Sequence, residues 1–218
     1  MIGAVIAMQS EADILLEEMQ VQRSLTVSGK TVYVGKAYGK EIALCICGIG
    51  KVNAALGTQL LVSKFGVEKL LNFGVAGGLN ESTELCAVYQ IAAAVQFDFD
   101  LTELNGTKMG TLDEYTENYL STNHFRADFP KKRLGTADRF NDSKADYALL
   151  TKELEADIRD MEGAAVVQAA YCAELPVYLV KAISDVAGSG STAEQYFANK
   201  ARALQNLKVA LPTFFAEL

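Results

Sequence analysis

The chain has few of the residues on which several common classes of active site depend. It has one histidine, His124, in a polar stretch where we expect it to be exposed. Triads built on histidine are therefore poorly supported. The four cysteines lack the spacing of a metal site, and two of them lie in an apolar strand pattern. We expect buried, reduced thiols, as is usual in a cytoplasmic protein.

Basic stripes and long apolar runs are also missing. The chain has 20 basic and 27 acidic residues and a net charge of −7, which argues against nucleic acid or an anionic membrane as a partner. No apolar run is long enough to span a bilayer. Residues 1–7 are apolar but lack a basic leader and a cleavage site, so a buried strand is predicted there. Half of the 218 residues are hydrophobic, which predicts a single globular domain over residues 1–218.

Predicted strands and helices alternate along the chain. The strands are predicted at residues 2–7, 31–37, 41–47, 69–73, 88–95, 133–136, 158–161 and 177–184. The helices are predicted at residues 10–19 with Ser10 as the cap, 51–65, 143–154, 162–174 and 192–211. Residues 98–130 are polar and are predicted to be irregular. This alternation predicts an α/β fold with a mixed, mainly parallel sheet flanked by helices on both faces.

Several charged residues lie at or near predicted strand ends, where ligands bind in open α/β sheets. Glu11 follows the first strand and Glu162 begins a helix, so each could also simply pair with a helix N-terminus. Asp185 ends a nearly all-apolar strand, where desolvation favours the protonated acid, although a cap or turn residue fits equally well. Lys181 lies inside the same strand and needs a partner or a wet pocket, which favours a functional role.

A glycine-rich segment at residues 74–78 follows a predicted strand that ends at Gly74. Glycine allows a ligand to approach the backbone closely. The spacing matches neither a dinucleotide fingerprint nor a phosphate-binding loop with its Gly-Lys-Ser/Thr ending. This segment therefore indicates a ligand only in combination with the strand-end carboxylates.

Six segments occur in an order that resembles one known superfamily. They are Ala-Met-Gln-Ser-Glu at 7–11, Gly-Ile-Gly-Lys-Val-Asn-Ala-Ala at 48–55, Gly-Val-Ala-Gly-Gly-Leu at 74–79, Asp-Phe-Asp-Leu-Thr at 98–102, Met-Glu at 161–162 and Ile-Ser-Asp at 183–185. The series resembles the nucleoside phosphorylase/nucleosidase superfamily. Within it, the chain is most similar to the 5′-methylthioadenosine/S-adenosylhomocysteine nucleosidases.

The resemblance implies hydrolysis of the N-glycosidic bond of a purine nucleoside, 5′-methylthioadenosine or S-adenosylhomocysteine, with release of adenine. It implies that Asp185 protonates the base, that Glu11 activates water and that Lys181 lies on the attacking side. The implied substrate-binding residues are Met8, Val75, Ala76, Gly77, Phe140, Asn141, Met161, Glu162 and Ser184. No metal or redox cofactor is implied. The resemblance also implies a homodimer, with the region around residues 98–102 near the subunit contact.

The chain departs from the superfamily pattern at five positions. Val75 replaces a serine, and Lys181 replaces an arginine and so loses the planar fork of the guanidinium. Phe97 stands where histidine is usual, and Ala193 aligns with a phenylalanine that closes over the 5′ substituent. Asn141 replaces an apolar residue. These departures leave open which 5′ group the substrate carries.

Alternatives to the nucleosidase remain within the same superfamily. Residues 161–165 also resemble a futalosine hydrolase, although Ile-Ser-Asp at 183–185 favours an adenine-releasing enzyme. Related phosphorylases place arginines, which suit phosphate, near the end of the first strand, yet no arginine precedes Arg23 here. A non-catalytic nucleoside-binding protein is disfavoured because binding alone would not require Glu11, Glu162 and Asp185 together.

Overall fold

A computed structural model describes residues 1–140 and 143–218. Its strands are β1 Ile2–Ile6, β2 Gln20–Val27, β3 Lys30–Ala37, β4 Lys40–Ile46, β5 Lys69–Gly78, β6 Val88–Gln96, β7 Leu120–Ser121, β8 Lys131–Thr136, β9 Ile158–Asp160 and β10 Val177–Val186. Its helices are α1 Gln9–Leu16, α2 Lys51–Phe65, α3 Thr102–Asn105, α4 Lys144–Ala148, α5 Gly163–Cys172 and α6 Thr192–Glu217, and a π-helical turn, Leu149–Glu153, follows α4.

The strands form one mixed sheet in the order β10-β6-β8-β9-β5-β1-β4-β3-β2, with β7 beside β6. Parallel pairing joins β4, β1, β5 and β10 in turn, and it also joins β6, β8 and β9. Antiparallel pairing connects these groups and forms the β2–β3–β4 hairpins. The predicted mixed sheet flanked by helices is confirmed. Strand β5, at the centre of the sheet, pairs with β1, β9 and β10.

Helices cover both faces of the sheet and bury its apolar side chains. On one face, α2 and α5 contribute Leu61 and Val166 to a core that is closed to solvent. On the other face, α1 and α6 contribute Leu15 and Phe214. Apolar residues on both faces explain why the central strands are nearly continuous hydrophobic runs.

Several predicted elements were wrong: helix α1 ends at Leu16 rather than at residue 19, and residues 98–130, predicted to be irregular, contain α3 and β7. Strand β5 continues through Gly78 rather than ending at Gly74, because β10 pairs with it as far as Val186. Helix α6 runs past Pro212 to Glu217, since Phe214 and Phe215 bury their rings in the core. Ser10 lies inside α1, and Met8 occupies the N-cap position.

Strand β2 was missed altogether because its side chains are mostly exposed and apolar alternation is confined to Leu25 and Val27 at its end. Of the cysteines, Cys45, Cys47 and Cys86 are buried free thiols, whereas Cys172 is exposed at the end of α5. The expectation of burial was therefore wrong for Cys172. His124 is exposed, as expected. Within the described residues, no helix combines the length and apolarity needed to cross a membrane.

Candidate active site

One cavity of about 350 Å³ opens where β1, β5, β9 and β10 end. Ten of the predicted site residues line it: Met8, Glu11, Val75, Ala76, Gly77, Phe140, Met161, Glu162, Ser184 and Asp185. Lys181 does not line the cavity but lies behind it. Asn141 falls outside the described residues. The carboxyl ends of the strands thus gather side chains from distant parts of the sequence around a single space, as expected for such a sheet.

Glu11 is held in the first turn of α1 by two backbone N–H groups. Its Oε1 accepts a hydrogen bond from the Val75 N–H at 2.8 Å, and its Oε2 accepts one from the Met8 N–H at 3.2 Å. The residue is 3% exposed. Burial raises the pKa of Glu11, although Lys181 and the two N–H groups oppose that shift. A buried carboxylate at the cavity wall is suited to proton transfer.

The glycines of β5 make room for carboxylates of the chain itself. A Cβ atom on Gly74 would lie 2.4 Å from Glu11 Oε1, and a Cβ atom on Gly77 would lie 2.8 Å from Asp185 Oδ1. The sequence predicted that this segment brings backbone close to a ligand. In the structure it also allows two acidic side chains to approach the strand.

Replacing Gly74 with alanine is expected to displace the Glu11 carboxylate and break its bond to Val75. When a buried group loses such a bond, the free energy of unfolding typically falls by about 1–3 kcal/mol. Urea titration would measure this change. The same substitution in a Glu11→Ala background should cost less, because the clashing carboxylate is gone. An equal cost in both backgrounds would show that Gly74 is needed for another reason.

Asp185 reaches the cavity from an irregular point in β10. The register of β10 against β5 shifts between Ile183 and Asp185, and such bulges commonly redirect side chains near active sites. Asp185 is 1% exposed, and its Oδ2 accepts a hydrogen bond from the Ser184 hydroxyl at 2.8 Å. Arg159 Nη2 lies 3.8 Å from Oδ1. The predicted carboxylic acid is therefore buried, oriented and next to a cation.

Glu162 occupies the N-cap position of α5 and is 9% exposed. Its Oε1 accepts a hydrogen bond from the Gly50 N–H at 2.8 Å. Burial, followed by the charge of Asp160, raises the pKa of Glu162 to about 7, while Lys181 and the Gly50 bond oppose the rise. The ionisation of Glu162 therefore depends on the charges of its neighbours Asp160 and Lys181.

Lys181 is paired with Asp160 at the end of β9. The Lys181 Nζ lies 2.9 Å from Asp160 Oδ2, with the two side chains 3% and 2% exposed. Asp160 also accepts hydrogen bonds from the Thr136 hydroxyl at 2.6 Å and the Gly163 N–H at 2.9 Å. Burial alone would lower the pKa of Lys181, but Asp160 and Glu162 outweigh it and raise the pKa. The ammonium is therefore held by a partner rather than exposed to a ligand.

Three aromatic side chains form the rim of the cavity: Phe140, Tyr196 and Phe197. The Phe140 and Tyr196 ring centroids lie 5.7 Å apart, and those of Tyr196 and Phe197 lie 5.3 Å apart. Phe140 is 51% exposed and Phe197 is 80% exposed. Ala193 lines the cavity from α6, the helix that also carries Tyr196 and Phe197. These two rings therefore lie close to the position where the sequence indicated a missing phenylalanine.

Sequence reasoning missed two arginines that line the cavity, Arg139 and Arg159. The Arg139 guanidinium makes two bonds of 2.6 and 2.9 Å to Asp146 and lies 5.1 Å from the Phe97 ring centroid. Sequence reasoning also missed Tyr196 and Phe197, which lie three and four residues after Ala193 on α6. That helical spacing from an aligned position is the signal that could have found them.

The sequence profile described as Phosphorylase superfamily matches residues 1–215. The chain belongs to this superfamily. A 5′-methylthioadenosine/S-adenosylhomocysteine nucleosidase from Listeria innocua is 31% identical over 207 residues, which cover 88% of each protein. The superfamily membership implied by the six motifs is therefore confirmed.

Solved structures of the superfamily share the whole fold. A nucleosidase of the same description from Colwellia psychrerythraea 34H, solved with adenine, has a TM-score of 0.91 and 25% identity, with 100% of this chain and 95% of that chain covered. Futalosine hydrolase from Helicobacter pylori strain 26695 has a TM-score of 0.90 and 25% identity, with 100% and 97% covered. The likeness thus extends over β1 to α6, including every segment that lines the cavity.

Proposed function

We propose that this protein is a hydrolytic N-glycosidase that cleaves 5′-methylthioadenosine or S-adenosylhomocysteine and releases adenine. The observation that carries the proposal is the convergence of Asp185, Glu11 and Glu162 on one cavity. A carboxyl group can serve in leaving-group protonation, in water activation and in stabilisation of a cationic sugar. Relatives that carry this enzyme name agree with the assignment.

In the proposed reaction, Asp185 in its acid form donates its proton to N7 of the base. The bond between the base and C1′ of the ribose breaks, and the base leaves as a neutral molecule. The carboxylate of Glu11 accepts a proton from the water whose oxygen attacks C1′. Glu162 accepts hydrogen bonds from the ribose hydroxyls, and its charge stabilises the oxocarbenium-like transition state.

The remaining cavity residues hold the substrate in this proposal. Phe140 stacks on the base, Met8 and Met161 border the ribose, and Val75, Ala76, Gly77 and Ser184 follow the substrate along the ends of β5 and β10. Tyr196 and Phe197 of the aromatic rim surround the 5′ group, and their apolar surface suits a thioether. The predicted contact of Asn141 with the base edge stays a prediction. No step in this mechanism calls on a cofactor.

The protein is further proposed to work as a homodimer in the cytoplasm. Val52 and Leu56 lie four residues apart in α2 and are 70% and 57% exposed, and Ile49, just before the helix, is 51% exposed. An apolar stripe of that spacing on a helix is suited to contact with a second subunit. Asp98, from the segment predicted to lie near the subunit contact, forms an ion pair with Lys51 of the same helix.

Two alternatives have specific observations in their favour. A futalosine-type hydrolase is supported by the structural likeness to the Helicobacter pylori enzyme. A phosphorylase gains support from Arg139 and Arg159, since arginine forks suit phosphate. Arg139 is, however, engaged by Asp146, and Arg159 lies beside Asp185. These contacts of Arg139 and Arg159 leave neither guanidinium committed to phosphate, which favours water as the nucleophile.

Base release is expected to proceed fully in phosphate-free buffer. Purified protein would be incubated with 5′-methylthioadenosine, S-adenosylhomocysteine, futalosine and inosine, with and without phosphate, and free base would be measured by chromatography. We expect adenine from the first two substrates and a sugar product with a free 1-hydroxyl. Release that requires phosphate, with sugar 1-phosphate seen by phosphorus NMR, would support the phosphorylase instead. Faster release from futalosine would support the other hydrolase.

A further inference from the structure

Three carboxylates at the cavity wall and one ammonium behind it lie together; we call Glu11, Asp160, Glu162 and Lys181 the buried charge cluster. Lys181 contacts Asp160 directly, and its charge opposes the rise that burial causes in the pKa of both Glu11 and Glu162. Glu11 and Glu162 line the cavity, as does Asp160, whereas Lys181 does not. Lys181 can therefore influence a substrate only through its neighbours.

The groups that face Glu162 come from five parts of the fold. Asp160 at the end of β9 and Glu11 on α1 oppose its ionisation. Lys181 on β10 and the Gly50 N–H before α2 favour it. The Cys47 thiol after β4 also interacts with Glu162, and burial keeps the pKa of that thiol at about 12, so it stays neutral at ordinary pH.

The two members of the Lys181–Asp160 ion pair have opposite effects on the ionisation of Glu162. The ammonium favours a charged Glu162, and the Asp160 carboxylate disfavours it. Asp160 is fixed by Thr136 and Gly163, and Lys181 is fixed in turn by Asp160. Because both partners are buried and held in place, the balance between them is a built-in property of the site.

We propose that Lys181 and Asp160 are positioning residues that together set the pH at which Glu162 becomes ionised and able to hold the ribose. Neither residue transfers a proton or attacks the substrate. Lys181 supplies the positive charge that lets Glu162 and Glu11 be ionised together, and Asp160 holds that charge behind them. This inference rests on the proposed hydrolase only for its kinetic test.

The two partners make opposite predictions for the pH dependence of kcat/KM. In Lys181→Met the cation is lost, so Glu162 ionises at higher pH and the acidic limb should move up by about one pH unit. In Asp160→Asn the opposing carboxylate is lost, so the limb should move down by a similar amount. Lys181→Arg keeps the charge and serves as the matched control, with the limb unmoved.

A merely structural ion pair would behave differently. Both neutral variants would then lose activity without moving the limb, or would move it in the same direction, and either result would overturn the proposal. Circular dichroism and thermal unfolding would establish that each variant is folded. If Lys181→Met does not fold, Asp160→Asn decides alone, because only the proposed role lowers the pH of its acidic limb.

A direct titration separates this inference from the proposed function. The carboxyl ¹³C signal of Glu162, assigned by its loss in Glu162→Gln, would be followed against pH in wild-type protein and in Asp160→Asn. We expect the midpoint to fall by about one pH unit in the variant. An unchanged midpoint would overturn the inference even if the enzyme hydrolyses nucleosides. A shifted midpoint would support it even if none is cleaved.

Discussion

Replacing Asp185 with asparagine is expected to lower kcat by about 10²–10⁴-fold while leaving adenine binding in place. Asparagine has nearly the same shape and can still accept the Ser184 hydroxyl bond at its Oδ1, but it cannot donate an acidic proton to the base. The base would then have to leave as an anion. Single-turnover release of adenine would give the rate, and calorimetric titration with adenine would give the affinity.

The matched control for Asp185→Asn is Ser184→Ala. This change removes the hydroxyl that bonds to Asp185 Oδ2 but leaves the carboxylic acid, so it should reduce kcat much less. Near-normal turnover by folded Asp185→Asn protein would rule out Asp185 as the acid. An equal loss in both variants would indicate that orientation, and not proton donation, limits the reaction.

Glu11→Gln should abolish most hydrolysis, also by about 10²–10⁴-fold, because the side chain can no longer accept a proton from water. The carboxylate accepts two backbone N–H groups, from Val75 and Met8. A glutamine amide has one acceptor oxygen, so one of those N–H groups loses its partner. We therefore expect the free energy of unfolding to fall by about 1–3 kcal/mol, measured by urea titration.

Glu17→Gln is the matched control for that experiment, since Glu17 is 61% exposed and lies just beyond α1. It should leave hydrolysis unchanged. If Glu11→Gln is less stable but the folded fraction hydrolyses substrate normally, Glu11 is a structural residue that satisfies the start of α1. Retained ligand affinity together with lost hydrolysis would instead assign it to water activation.

The sequence contained enough to predict the helix-sheet alternation and the main carboxylates of the site. Glu11 and Asp185 could be found because Asp185 lies at the end of a strongly apolar strand and Glu11 lies in the helical turn that follows another, and parallel strands bring such ends together. Helix α2 was predicted with its observed limits, because a glycine precedes it and Gly66 ends it in the left-handed conformation.

What could not be predicted depends on partners that are distant in sequence. The extension of β5 beyond Gly74 requires β10 beside it, and strand β2 is formed by pairing with β3 rather than by an apolar pattern. Arg159 follows Ile158 in a strand of three residues, and nothing local indicates that it faces Asp185. The pairing of Lys181 with Asp160 could not be predicted either, because the two residues come together only when the sheet forms.

The cavity walls come from both ends of the chain, from α1 near the start to α6 near the end. No partly folded form that lacks either helix has the complete wall, so occupancy of the cavity is coupled to completion of the whole fold. A ligand that binds only this state stabilises the folded chain by about 2.7 kcal/mol at a concentration 100 times its Kd. The metabolite that fills the cavity in the cell therefore also protects the chain against proteolysis.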